Sequence, residues 1–579
     1  MPIPVGTGEV TLYLGVNQVQ GVVFTGADVL WAATTGGAVR WDLAMGSHVQ
    51  YTAADGLASS YLTDVAQAPD GSLWFASLGG VSRVRDGAWI SCTEADGLVD
   101  DAVQAIAVTG EGIVWAGTTE GVSRFDGASW TTYLPGDRAW DIAVAPDGAV
   151  WFANDAAGLR RYTPADDAWE TYKMGDDQFA PGVKTAAVDP QGDVWAYLGY
   201  DQVYRFDGQE WQAEYDAPWA CDATFEADGT PWIATCDAYR TYGAGLVIRA
   251  DGSWRHVSRE DGLASDSVRA VAVGPGGQIA AGTNDGLSVY RDGEWRTLRD
   301  GPALNRITTV AVTPNGTAWF GFGDTSFPPP GGGVSRFDGR QWDLFNQRTG
   351  LAINDNVTLL AVDPDGRLWA GAGCELGYQA DDGWHRVAGC DDFSGNVIDL
   401  AFQPNGVVWV ATAFGVHRFD GQEWKHWEDL LPTSIAVTPE GTVLIGQSTL
   451  GEGGVWSYGG DGWQRLAESP PCVREMVVDG ERTVWAAPCE GEGLLRRVDG
   501  LWQKITPADG LPAGRVADVD VSMAGEVWVA AESGIGHLGP AGWVVRGRTW
   551  EGDVREIATA PDGSVWLATS NGAVRVSAP

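Results

Sequence analysis

One phrase recurs along the whole chain and limits what it can fold into. It reads Pro-Asp-Gly, a spacer, an apolar residue, Trp, then small and strand-prone residues. Clear copies are PDGSLWFAS from Pro69, EGIVWAGTT from Glu111, PDGAVWFAN from Pro146, PDGRLWAGA from Pro364, PNGVVWVAT from Pro404 and PDGSVWLAT from Pro561. The Trp falls at Trp31, Trp74, Trp115, Trp151, Trp195, Trp232, Trp319, Trp369, Trp409, Trp485, Trp528 and Trp566, and Ala280 and Leu444 replace it in two weaker copies. These fourteen copies lie about 41 residues apart on average. A period near 40 with strand-like content marks the blades of a β-propeller.

Each copy divides into four short strands. In the third copy they are AVQAIAVT from Ala102, IVWAGTT from Ile113, GVSRFDG from Gly121 and SWTTY from Ser129. Period-2 alternation bounded by Gly, Asp and Pro is the strand signal, and no segment sustains a 3.6-residue apolar period. The expected class is therefore all-β with almost no helix. A second column of Trp follows the third-strand turn, at Trp89, Trp130, Trp169, Trp211, Trp254, Trp295, Trp342, Trp384, Trp424, Trp463, Trp502 and Trp543. Together the columns hold 24 of the 30 Trp, which assigns these indoles to packing between stacked sheets.

Propellers usually have 4–8 blades, so fourteen copies read as two seven-bladed rings, residues 15–302 and 303–579. The last copy stops after its third strand, at GAVRVSAP, while the chain opens with a lone strand, GEVTLYL. Blade seven has its own fourth strand, EWRTL from Glu294. The strand at 9–14 is therefore expected to complete the last blade and tie the amino terminus to the second ring. A single fourteen-bladed ring satisfies the same strand count.

The phrases resemble the two-component regulator propeller repeat. The motifs that carry the resemblance are DGLASSYLTDVAQAPDGSLWFASLGGVSRV from Asp55 and DGLVDDAVQAIAVTGEGIVWAGTTEGVSRFDG from Asp96. The crossovers DGLASDSV from Asp261, TGLAINDNV from Thr349 and DGLPAGRV from Asp509 repeat the theme. The resemblance covers essentially the whole chain. It implies an extracytoplasmic sensor module with two seven-bladed propellers, with carbohydrates among the ligands and a signalling protein as a candidate partner.

A net charge of −40 argues against nucleic acid and anionic membrane surfaces as partners. No apolar run approaches a transmembrane helix, so no membrane insertion is expected. The seven Cys lack C-x-x-C spacing, which disfavours zinc. On the blade plan Cys221 and Cys236, Cys374 and Cys390, and Cys472 and Cys489 form three local pairs, with Cys92 left over. Three bridges imply an oxidising, periplasmic or secreted setting. The opening MPIPVGTGEV has neither a basic region nor an apolar core, so an export signal is expected to have preceded it.

First-to-second and third-to-fourth turns are short and uniform and share one face. The other face receives the blade-to-blade crossovers and the long segments TCDAYRTYGAG from Thr235, GFGDTSFPPPGGG from Gly321, GQSTLGEGG from Gly446 and APCEGEG from Ala487. Variable loops on a rigid scaffold are where binding concentrates. Trp140, Trp219 and Trp550 fall there, at or just before first strands. So do acids at first-strand entries: Asp64, Asp141, Asp222, Asp399, Glu475, Asp518 and Glu556. Arg474 and Arg555 precede two of them, and Tyr61 lies near Asp64. Indoles beside carboxylates suit sugar, with the ring stacking on C–H faces and the acids taking hydroxyls. The alternatives are gap-filling Trp and solvated loop-edge acids. No cofactor is expected, with Ca²⁺ the one ion such acids could hold.

The six His lie on or beside third and fourth strands, away from the mouth, which counts against His-based catalysis. No H-E-x-x-H, G-x-S-x-G, P-loop or EF-hand pattern occurs. A glycosidase needs only two carboxylates across a cleft, so catalysis stays open. The preferred reading is a non-catalytic double propeller binding a carbohydrate or similar polar ligand, with no catalytic residues assigned. The alternatives are a protein-interaction scaffold and a polysaccharide-cleaving lyase or glycosidase with a groove between the rings.

Overall fold

A computed structural model describes residues 9–154, 158–172, 182–198, 202–216, 219–236, 245–250, 252–323, 332–393, 395–447, 453–459 and 462–577. Strands form where the alternation places them. The third copy gives Val103–Val108, Val114–Thr118, Val122–Phe125 and Trp130–Tyr133, paired in that order. Fourteen such antiparallel four-stranded sheets make up the molecule. Second strands such as Leu73–Ser77 are buried along their whole length, because sheets cover both faces, and this is why they read as unbroken apolar runs. Fourth strands such as Ala88–Cys92 expose alternate residues, as an outer strand should.

The first strands of the first seven sheets abut one another in order, and Val268–Val273 closes the cycle against Val19–Gly26. In the next seven, Val554–Thr559 closes against Thr309–Val312. The chain is a tandem seven-bladed propeller. Blades 1–7 form the first ring and blades 8–14 the second. The compact units are Gly15–Asp300, and Gly301–Pro579 together with Met1–Leu14. The fourteen-bladed ring is thereby excluded.

The Trp columns join each blade to the next. All twelve second-strand indoles are only 1–8% exposed. Six of them meet the fourth-strand Trp of the following blade edge-on: Trp31–Trp89, Trp74–Trp130, Trp115–Trp169, Trp319–Trp384, Trp409–Trp463 and Trp485–Trp543, with centroids 5.9–6.4 Å apart. Such pairs add about 0.5–1.5 kcal/mol each beyond the area they bury. A third-strand Arg covers several indoles from the side, as Arg83 does Trp74 at 5.2 Å and Arg575 does Trp566 at 5.7 Å.

The recurrent Asp-Gly-Leu of the crossovers has a local cause. In the first, Asp55 and Thr52 form a capping box around one 3-10 turn, Gly56 takes φ 112°, and Leu57 is buried behind it. A side chain at Gly56 would be strained by its φ and would meet Trp89 Cβ at 3.1 Å. Four more 3-10 turns of this kind occur, and no α-helix is present among the described residues.

The three Cys pairs are bonded: Cys221–Cys236, Cys374–Cys390 and Cys472–Cys489, with Cα atoms 5.8, 4.9 and 5.5 Å apart. Cys221 lies within the first strand Ala220–Phe225. Cys92 is a half-buried free thiol whose pKa burial pushes up.

The leading strand Val10–Tyr13 pairs antiparallel with the last, from Val10 opposite Val576 to Tyr13 opposite Ala573. It completes blade 14. It also reaches the closing seam, because the Tyr13 ring lies 5.2 Å from Phe337 of blade 8 and 5.3 Å from Trp566 of blade 14. Removing residues 1–13 uncovers that edge. Scanning calorimetry is expected to show the second unit melting roughly 5–15 °C lower and the first unit unchanged; an unshifted second transition would refute the closing role.

Candidate functional site

The axis of each ring is lined by first strands, and their starts form its mouth on the crossover face. In twelve of the fourteen blades the ladder slips by one residue there. Such a bulge re-aims two successive side chains. In the first ring the extra residues are Gln20, Thr63, Gln104, Trp140, Lys184, Cys221 and Arg269. Some reach a neighbouring blade: Thr63 Oγ1 donates to the Val103 carbonyl of the next at 2.8 Å, and Lys184 Nζ lies 3.7 Å from the centre of the Trp140 ring of the one before.

The residue after each bulge is where the acids stand. Asp64, Asp141 and Asp222 occupy alternate blades of the first ring, and each straddles two strands. Asp64 Oδ1 accepts from its neighbour Val65 N–H and Oδ2 from Ile106 N–H in the next blade, at 2.7 and 2.9 Å. Asp141 does the same with Ile142 and Ala186, and Asp222 with Ala223 and Val271. In the second ring Asp399 reaches Ile435, Asp518 reaches Ile557, and Glu556 reaches Val310 across the closing seam. Glu475 accepts from Met476 N–H. Except for Glu475, which is bonded within its own strand, these acids are inter-blade clasps, not solvated loop-edge groups.

Burial among the first strands dominates their titration. It pushes Asp64 up to about 7, Asp141 to about 6, Asp399 to about 7 and Asp518 to about 8, against the N–H bonds that favour the charged form. Asp222, Glu475 and Glu556 are raised further by neighbouring acids of the same channel, after burial. Deeper in blade 13, Asp520 clasps Thr559 through its N–H and hydroxyl and is raised by burial too. A cavity of about 390 Å³ in the second ring is lined in part by Asp399 and Glu475. Among the described residues no group of three or more His, Cys, Asp or Glu could hold a metal ion.

Cations rim these mouths. Trp140 is half-buried, with the Arg138 guanidinium 4.8 Å from its ring in addition to the Lys184 contact already given. Arg269 Nε donates to Asn284 Oδ1 at 2.7 Å, and burial lowers its pKa. In the second ring Arg474 and Arg555 hold the bulge positions before Glu475 and Glu556. Arg474 Nη2 donates to the carbonyl of disulfide-bonded Cys489 at 2.8 Å, and burial, then Arg515, lowers its pKa.

The aromatic candidates separate. Trp219 adopts φ 55°, uncommon for a bulky side chain. It is pinned there by its N–H to the Tyr197 hydroxyl (2.7 Å) and by its carbonyl, which accepts from Cys236 N–H (2.9 Å). Tyr61 is 46% exposed on the crossover face. Trp550 departs from expectation: it is buried with Trp528, Ile535 and Ile557 in the core between blades 13 and 14, because the crossover there folds inward. The long segments 237–244, 324–331 and 448–452 lie outside the described residues. Lys184, Arg269, Arg138 and Arg515 escaped the sequence reading; the column just before the acids would have exposed the first two.

No family model matches the chain. Similar solved structures include PorZ, a bacterial surface component of the type-IX secretion system of Porphyromonas gingivalis, at 16% identity over 98% of this chain and 87% of that one, TM-score 0.72. An ancestral GH74 enzyme matches at 14% identity over 98% and 99%, TM-score 0.70. The extracellular domain of a putative hybrid two-component system from Bacteroides thetaiotaomicron matches at 17% identity over 98% and 83%, TM-score 0.40. A curated relative, a probable quinate permease from Aspergillus clavatus, is 25% identical over 209 residues, and the match spans 37% of that protein. The first two likenesses show the double-propeller fold. No helix among the described residues is long and apolar enough to cross a membrane.

The raised carboxyls set a pH dependence. Folded values near 6–8 exceed the unfolded values near 4, so the folded state holds protons that the unfolded chain has released. Their stabilising effect is complete below about pH 4 and is lost as pH rises through 6–8. At constant ionic strength the thermal midpoint is expected to fall between pH 5 and pH 8; a level or rising midpoint would contradict this titration.

Proposed function

We propose that the chain is a non-catalytic, sensor-type double propeller whose crossover-face mouths recognise a polar ligand, with an acidic carbohydrate the favoured class. The observation that carries this reading is Trp140, an indole at a channel mouth flanked by Lys184 Nζ at 3.7 Å and Arg138 at 4.8 Å. A sugar approaching that ring meets two cations first, so an acidic group on it gains over a neutral one. Trp219, held at positive φ beside the Cys221–Cys236 bridge, offers a second aromatic surface from a rigid base.

Asp141 and Asp222 spend one lone pair per oxygen on the clasps, so they serve the ligand through what remains. In the second ring Arg474 and Arg555, above Glu475 and Glu556, form the corresponding rim. No cofactor is required in this reading. Three disulfides in one chain support an extracytoplasmic setting, where a signalling protein would read the bound state.

Binding to an array of acidic and neutral oligosaccharides tests the proposal, followed by calorimetric titration of the best ligand. Trp140→Ala and Lys184→Gln are each expected to weaken binding about tenfold or more while far-UV spectra stay unchanged. Unaltered affinity in both variants, or preference for neutral glycans, would sink the assignment.

A further inference from the structure

On the short-turn face of the first ring, a cavity of about 710 Å³ opens between blades 3 and 4. Its size lies in the range of small-molecule sites. It lies where blade 3 lacks an arrangement that blades 2 and 14 share and blade 4 has in part. In blade 2 the turn carboxylate Asp70 is locked twice, by the Ser72 hydroxyl at 2.6 Å and by Arg83 Nη2 at 2.8 Å. Blade 14 repeats the lock with Asp562, Ser564 and Arg575. Blade 4 joins Arg161 to Asp147 at 3.0 Å.

Blade 3 breaks the pattern. Glu111 stands in the place of Asp70, Gly110 in that of Pro69 and Ile113 in that of Ser72. The hydroxyl that orients the turn carboxylate is gone, and Glu111 is exposed. Arg124, the counterpart of Arg83, forms no ion pair among the described residues. Its guanidinium lies 5.8 Å from the Trp115 ring. Asp126, which feels its charge, spends Oδ1 on the N–H groups of Ala128 and Ser129, at 2.9 Å each.

We infer that this cavity is a second binding site, distinct from the channel mouths, and that it takes a small organic carboxylate with an apolar body, the acid group on Arg124. A guanidinium carries its fork of N–H donors in one plane, which suits bidentate capture of a carboxylate. Ile113, Pro146 and Pro164 are among its apolar lining residues, and Thr109 and Thr163 line it as well. The other carboxyl of the lining, Asp147, is engaged by Arg161, and the Tyr162 hydroxyl is turned onto Asp167 at 2.9 Å. Arg124 is thus the cation left over for a ligand.

Isothermal titration with phenylacetate, its neutral isostere phenylacetamide, and N-acetylphenylalanine tests this directly on the full chain. Phenylacetate or N-acetylphenylalanine is expected to bind one site, with the amide about tenfold weaker or worse. The tighter acid tells a free organic acid from a peptide C-terminus. Arg124→Gln is expected to lose about tenfold or more, and Arg124→Lys, which keeps the charge without the fork, several-fold. Arg83→Gln, in the locked blade, and Trp140→Ala, at the mouth, are expected to bind as the parent does. The inference falls if neither acid binds, if the amide binds as well as the acid, or if both Arg124 variants keep the parent affinity.

Discussion

A sheet inside a propeller has to bury both of its faces against neighbours, and in this chain regularly placed indoles meet that demand. Twelve second-strand Trp lie beneath the next blade, where fourth-strand Trp meet several of them edge-on. In blades 2, 4 and 14 a third-strand Arg lies over an indole and also reaches the turn carboxylate, as Arg83 does between Trp74 and Asp70. In those blades one contact joins packing, turn and strand edge. Where Trp is missing, at Ala280, the seam between blades 7 and 1 is filled instead by Val16, Phe24 and Trp41 of the first blade.

Toward the axis the chemistry changes from packing to electrostatics. The chain carries a charge of −40, yet burial raises the pKa values of its channel acids, and Lys184, Arg269 and Arg474 occupy bulge positions of the same first strands. The acids serve the fold first, because each accepts backbone N–H groups, those of the next blade lying on the edge of a first strand that pairs only with its second strand. Their alternation around the first ring, Asp64, Asp141 and Asp222, keeps like charges from adjoining blades. In the second ring Glu475, Asp518 and Glu556 are consecutive, and mutual repulsion raises Glu475 and Glu556 further. A mouth built this way presents cations outward while hiding its negative charge.

Much of this was legible in the residues. The Trp columns located every second and fourth strand that carries them, the Cys positions paired as their places on the blade suggest, and the incomplete last copy pointed to the strand before residue 15. The acids were found in one register but their bonds to the next blade were not, because a bulge that turns their oxygens toward that blade leaves no mark in a local window. Trp550 looked like its neighbours at the mouth, yet its crossover folds it into the core. Lys184 and Arg124 were overlooked for a related reason: each matters through a residue of another blade or through the absence of a usual partner.

The amino-acid sequence determined the blade by itself: its four strands, its tight Asp-Gly turns, its capped crossovers and its buried indole. Those features arise from contacts within about 40 residues, so a repeat of that length contains them. The tertiary structure decided what no single repeat contains. It chose two closed rings over one, because closure depends on Val268–Val273 meeting Val19–Gly26 and Val554–Thr559 meeting Thr309–Val312. It turned the acids into clasps by bringing the next blade's N–H groups to them. It also left Arg124 facing a cavity, since a lost partner becomes a site only where two blades enclose the space around it.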